Sequence, residues 1–125
     1  MKLAGMRGQK GASPLRKYQA LGRLKTGQMN KTEAEYDRLL ACRLAAGEVL
    51  WYRFEGVKLR LADKTFYTAD FFVMNAASEL EVHEVKGFWT DDARVKTKVA
   101  AAQYPFRFLG ITKGKRGAGW QMEEL

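Results

Sequence analysis

Glu84 and Lys86 stand two residues apart in the run Glu81-Val82-His83-Glu84-Val85-Lys86-Gly87, whose composition predicts a strand. On a strand, side chains two apart point to the same face, roughly 7 Å along the chain. A carboxylate and an ammonium therefore share one surface while Val85 enters the opposite layer. Upstream, Asp70 opens the apolar stretch Phe71-Phe72-Val73-Met74, and residues 71 to 83 leave room for a hairpin. Antiparallel pairing would lay Asp70 across from Glu84 and Lys86, so that two carboxylates converge on a divalent ion. Glu33, in the first turn of a predicted helix, is a candidate third acid. The chemistry such a cluster suits is phosphodiester hydrolysis: the diester's charge repels nucleophiles and its leaving alkoxide is poor, and a hard cation on oxygen ligands relieves both. Lys86 is expected to position the attacking water or to stabilise transition-state charge, because neighbouring carboxylates favour its charged form over a basic one.

Other chemistries are excluded by what is missing. One His and one Cys are too few ligands for a zinc ribbon, a zinc finger or a His-Glu-x-x-His site. The run Gly110 to Arg116 is one residue short of a phosphate loop between its glycines, and Arg116 stands where a Ser or Thr should hold magnesium. It reads as a basic turn. Neither Ser13 nor Ser78 lies in a nucleophile-elbow sequence. Cys42, alone, forms no internal disulfide, which suits a reducing cytoplasm.

The elements that must position the cluster follow from periodicity and punctuation. Asn30-Lys31-Thr32-Glu33 matches a capping box, with Thr32-Glu33-Ala34-Glu35 as a second one. Tyr36, Leu40 and Leu44, flanked by Leu39 and Cys42, give the apolar face of a helix that stops at Gly47. Segments rich in aromatic and β-branched residues then predict strands at Val49–Phe54, Val57–Leu61, Phe66–Met74 and Leu80–Val85. Thr90-Asp91-Asp92 caps a second helix with Val95, Val99 and Ala102 as its expected buried stripe, and Phe106–Ile111 is a further strand. The predicted fold class is α/β (α+β), a mixed β-sheet with a helix on each face in an αβββαβ order. Two covered faces would explain why Phe71 to Met74 is apolar without alternation.

The 125 residues, 46% hydrophobic, suffice for one domain with a core. Their net charge of +8 is unevenly placed. Residues 1 to 31 hold Lys2, Arg7, Lys10, Arg16, Lys17, Arg23, Lys25 and Lys31 without one acid, and the remainder is balanced. The chain is thus expected to divide into a basic arm (1–29), a core (30–112) and a tail (113–125). Such an arm attracts polyanions by counterion release, DNA foremost. Its glycines and lack of an apolar stripe argue against a membrane helix, and no run is long enough to span a bilayer.

With these residues in place, the chain resembles the PD-(D/E)-x-K nuclease superfamily, which includes restriction endonucleases and Holliday-junction resolvases. Thr68-Ala69-Asp70 with Glu84-Val85-Lys86 matches the signature, with Ala69 where it has proline, and Glu33 resembles the acid many members carry in the preceding helix. Tyr67-Thr68-Ala69-Asp70-Phe71 and His83 to Trp89 are also similar to small phage and prophage endonucleases. The resemblance spans residues 30 to about 111. It implies a Mg²⁺- or Mn²⁺-dependent endonuclease of phage DNA, branched or otherwise structured, with 5′-phosphate products in a bacterial cytoplasm. Asp70 and Glu84 would be metal ligands, with Glu33 auxiliary and the Val85 backbone carbonyl a further ligand. Lys31, Arg94 and Lys98 join Lys10, Arg16, Lys17, Arg23 and Lys25 as expected phosphate contacts, and a four-way substrate would call for a homodimer.

Each residue also has a plainer reading. Glu33 suits a capping box alone, Glu84 and Lys86 an ordinary exposed strand pair, and Asp91 and Asp92 a helix dipole. His83 alternates away from Glu84 and reads as a packed or surface imidazole. A nucleic-acid-binding protein without catalysis, on the same fold, is the main alternative; an RNA-associated basic protein is a more distant one.

Overall fold

The computed structural model describes residues 27–115 and 118–125. The expected phosphate contacts Lys10, Arg16, Lys17, Arg23 and Lys25 lie outside them. In chain order the elements are α1 (Lys31–Ala45), β1 (Val49–Phe54), β2 (Lys58–Ala62), β3 (Thr65–Thr68), β4 (Phe71–Asn75), β5 (Leu80–Lys86), α2 (Asp91–Gln103), β6 (Arg107–Lys113) and β7 (Trp120–Glu124). Five strands form one sheet in the order β1-β4-β5-β6-β7, and β2 and β3 form a separate hairpin. Only the β5–β6 pair is parallel, joined across α2; the other pairs are antiparallel. The fold is therefore α+β, with a mixed sheet between two helices.

Side-chain alternation assigns the two faces. From β5, His83 and Val85 point toward α1, where Tyr36 and Leu40 pack with Phe71, Val73, Leu109 and Ile111. Val82 points the other way, into a second cluster with Phe108, Ala100 of α2, and Leu59, Tyr67 and Ala69 of the hairpin. Consecutive residues of β5, Glu81 to Val85, are buried because a layer covers each side of the sheet, while in β4 buried Phe71 and Val73 alternate with half-buried Phe72 and Met74.

α1 begins where the sequence marks it. Asn30 Oδ1 accepts from the Glu33 N–H at 2.8 Å, and Glu33 Oε1 accepts from the Asn30 N–H at 2.9 Å, a complete capping box. The alternative Thr32 box is not the one formed; Glu35 instead pairs with Lys113 of β6 at 2.8 Å. At the other end Gly47 takes φ +80°, a conformation that would strain any other residue.

Several expectations are corrected. The single strand expected over Phe66–Met74 is two, broken at Ala69-Asp70, because β3 leaves the main sheet to pair with β2 over α2. The predicted tail is not a tail: Trp120–Glu124 pairs antiparallel with β6. Nor does the arm run to residue 29, since the Gly27 N–H already donates to Glu55 at 2.8 Å and Met29 packs on the α1 cluster. In α2 the buried residues are Thr97 and Ala100, while Val95 is 60% exposed and Val99 and Ala102 also face solvent. Small side chains bring that helix close to the sheet, and the Thr97 hydroxyl is satisfied by the Ala93 carbonyl at 2.8 Å. Leu44 and Cys42, expected on the buried side of α1, are exposed.

A buried polar chain ties α1 to the sheet. Glu81 is held ionised, its pKa lowered to about 2, chiefly by His83 and then by Asn75 and Arg107. Its Oε1 accepts from His83 Nε2 at 2.8 Å, and the other ring nitrogen, Nδ1, is hydrogen-bonded to the Tyr36 hydroxyl at 2.7 Å. Tyr36→Phe strands that buried nitrogen. The variant is expected to lose about 1–3 kcal/mol in urea unfolding, and an unchanged midpoint would show that Tyr36 contributes through its ring alone.

Candidate active site

The break between β3 and β4 builds the site. The β4–β5 ladder ends at Phe71 opposite His83, and beyond it the backbone turns away: the Ala69 N–H donates to the Val57 carbonyl at 3.2 Å, and the Asp70 carbonyl accepts from the Glu55 N–H at 2.7 Å. The next donor on β5, the Val85 N–H, is met by Asp70 Oδ2 at 2.8 Å. A side-chain carboxylate thus takes the place of the next ladder partner and is fixed beside Glu84 and Lys86.

Glu84 is buried on the hairpin side of the sheet. Its Oε1 accepts a short hydrogen bond from the Tyr67 hydroxyl, and its Oε2 lies 3.0 Å from Lys86 Nζ. Glu33 reaches the same place from the start of α1, one oxygen capping the helix and the Asp70 side chain within hydrogen-bonding reach. Of the candidate residues, Glu33, Asp70, Glu84 and Lys86 are thus brought together, and Val85 lies among them with its N–H on Asp70.

The electrostatics carry the cost of that convergence. Burial, then the charges of Glu84 and Glu33, pushes the Asp70 carboxyl up to about 8 against the opposing Val85 hydrogen bond. Burial also raises Glu33, opposed by its Asn30 hydrogen bond and reinforced by the charges of Glu55 and Glu84. For Lys86 burial favours the neutral amine, but Glu84, Asp70 and Glu33 outweigh it and hold the ammonium above the ordinary lysine value. Burial and the adjacent Glu84 keep Tyr67 a neutral phenol, able to donate. Mutually repelling carboxylates with hard oxygen donors are the donor set that Mg²⁺ or Mn²⁺ takes. Among the described residues, no three His, Cys, Asp or Glu side chains form a group that could hold a metal ion, and Glu84 is engaged by Lys86 and Tyr67.

The other expected contacts divide. Lys31 is exposed at the start of α1 and Lys98 on α2. Arg94 is engaged within the fold, paired with Glu123 at 2.8 Å and lying 5.1 Å from the Trp89 ring centroid. Trp89 in turn packs on Gly110, where a Cβ would come within 2.8 Å of the indole. Tyr67 was not among the sequence candidates, although its place on the strand before Asp70 and its polar tip were visible signals.

The family described as "Protein of unknown function (DUF1064)" matches residues 15–116. The chain belongs to that family. In this DUF1064 protein the matched stretch takes in all four clustered side chains and part of the basic arm as well. No curated protein and no solved structure matches the chain. Among the described residues, no helix is long and apolar enough to cross a membrane.

The raised Asp70 pKa has a measurable consequence. Folded chain keeps this proton to about pH 8, whereas unfolded chain releases it near 3.8; the native state binds more protons across that window, so stability falls as pH rises through it. Asp70→Asn removes the buried charge and keeps an oxygen for Val85. In EDTA the variant is expected to melt a few degrees above wild type at about pH 8.5, with the advantage shrinking toward pH 4 as the wild-type acid protonates. A variant melting below wild type at the higher pH would contradict the assigned repulsion.

Proposed function

We propose that this protein is a metal-dependent endodeoxyribonuclease acting on branched or otherwise structured DNA. The observation that supports it is the meeting of three acids and a lysine where the β4–β5 ladder ends, with one acid driven toward protonation by the others. Asp70, Glu84 and the Val85 carbonyl would hold Mg²⁺ or Mn²⁺, with Glu33 auxiliary. Such an ion, when bound, neutralises the phosphodiester and stabilises the departing alkoxide. Glu84 keeps Lys86 protonated, and the ammonium orients the attacking water and offsets the charge that builds on the phosphate. Tyr67 fixes the Glu84 carboxylate by donating to it. Lys31, Lys98 and the basic arm draw the polyanion in, and two copies would be needed for paired cuts across a four-way junction.

A second reading, a nucleic-acid-binding protein without catalysis, is favoured by one observation: both Glu84 oxygens are already engaged, by Tyr67 and Lys86. Incubation with a synthetic four-way junction separates the two. The nuclease reading expects Mg²⁺-dependent cutting that Asp70→Asn and Lys86→Ala each reduce by about a hundredfold or more, with binding retained. Cutting unchanged in both variants would remove the assigned site, and binding without cutting under any divalent ion would favour the second reading. Mg²⁺ should also raise the wild-type melting temperature and leave that of Asp70→Asn nearly unmoved.

The arm is tested separately. Replacing Arg16, Lys17, Arg23 and Lys25 together by Gln should weaken DNA binding and flatten the dependence of log K on log salt by up to about 0.9 per lost phosphate contact. An unaltered slope would show that the arm does not touch the backbone.

A further inference from the structure

Two phenylalanines, one lining the cleft of Glu84 and Lys86 and one close to Lys86 in the chain, are exposed. Phe88, two residues beyond Lys86, is 77% exposed, more than any other large apolar side chain among the described residues. Phe66 on β3 is 41% exposed, and with Thr68 it forms one wall of a cleft of about 330 Å³. Glu84 and Lys86 line that cleft too, and Lys96 and Thr97 of α2 close it opposite. The ring of Phe66 is bordered by cations: Lys58 Nζ lies 4.7 Å from its centroid, and Arg60 is its cross-strand partner.

Neither ring belongs to a core cluster, and the hairpin packs inward through Leu59 and Tyr67. A protein partner fits poorly, because lysine is depleted at the centre of protein interfaces, and Lys58 stands over the Phe66 ring while Lys86 and Lys96 line its cleft. Aromatic rings interleaved with ammonium groups suit single-stranded nucleic acid, which lays bases on the rings and phosphates on the cations. A continuous duplex offers no base face to stack on. We infer that Phe66 stacks against an unpaired base beside the scissile phosphate and that Phe88, two residues beyond Lys86, offers a second stacking face, with Lys96 and Lys58 holding adjacent phosphates; this rests on the nuclease reading. The preferred substrate is then DNA that already exposes an unstacked base, a flap, bulge or branch point, and it is distinguished by base stacking rather than by sequence.

The full chain is titrated in EDTA, where no strand is cut, against a flap duplex carrying 2-aminopurine at the unpaired position beside the branch and against the fully paired duplex. Wild type is expected to bind the flap more tightly and to quench its fluorescence. Phe66→Ala and Phe88→Ala should each weaken flap binding by about tenfold, abolish much of the quenching and leave duplex binding within about twofold, while Phe66→Trp and Phe88→Trp keep the preference. Both side chains are at the surface, and melting curves check that the alanine variants stay folded. Equal losses on the two DNAs, or none on either, would overturn the inference. If wild type cuts in Mg²⁺ yet the alanine variants match it on both DNAs, stacking fails and the nuclease reading stands; if wild type neither binds nor cuts either DNA, both fall.

Discussion

A single hydrogen bond, from the Val85 N–H to the Asp70 carboxylate, fixes where Asp70 stands relative to Glu84 and Lys86. A β-ladder normally satisfies each inward N–H with a backbone carbonyl. Here the partner strand has turned off to join a hairpin, and a side chain substitutes for it. The geometry of the sheet is thereby transferred to a carboxylate. Because β4 and β5 are locked by the pairing of Phe71 with His83, Asp70 inherits their register, and Glu84 and Lys86 follow on the same short stretch of β5. The cluster sits on a strand buried on both faces, so its position is fixed by packing on both sides.

The two faces contribute differently. Toward α1, the strand carries Glu81 and His83 in a chain of hydrogen bonds that is complete and holds its acid ionised. Toward the hairpin and α2, Glu84 has only Tyr67 and Lys86 to offset its burial beside two further acids. Polar groups on one strand are thus matched on one side and left in mutual repulsion on the other.

Much of this was legible in the order of residues, for reasons that are local. Asn30 and Glu33 announce the start of α1 because a capping box needs only four residues, and Gly47 marks its end for an equally local reason. Glu84 and Lys86 share a face because a strand has period two. The choice of strand partner was less visible. Nothing near Ala69 in the sequence says that β3 will leave the sheet, since strand-forming residues stand on both sides of Ala69-Asp70; the break accompanies the hairpin's packing through Tyr67 and Leu59. Trp120 to Glu124 lies in the stretch expected as a tail, yet it pairs with β6, and its Glu123 and Glu124 are matched by Arg94 and Arg107. In α2 the valines suggested the wrong face, because close approach to a sheet selects Thr97 and Ala100 over bulk. The exposure of Phe66 and Phe88 is likewise a property of the assembled surface, which no periodicity reports.

The last strand has an effect beyond closing the core. An open sheet presents unpaired backbone groups along its border, and a long apolar border invites neighbouring chains to add themselves. β7 is short, and its Glu123 and Glu124 are clamped by arginines from α2 and β6. That border is consequently a poor template for edge-to-edge pairing with a second chain, an effect of a strand only five residues long.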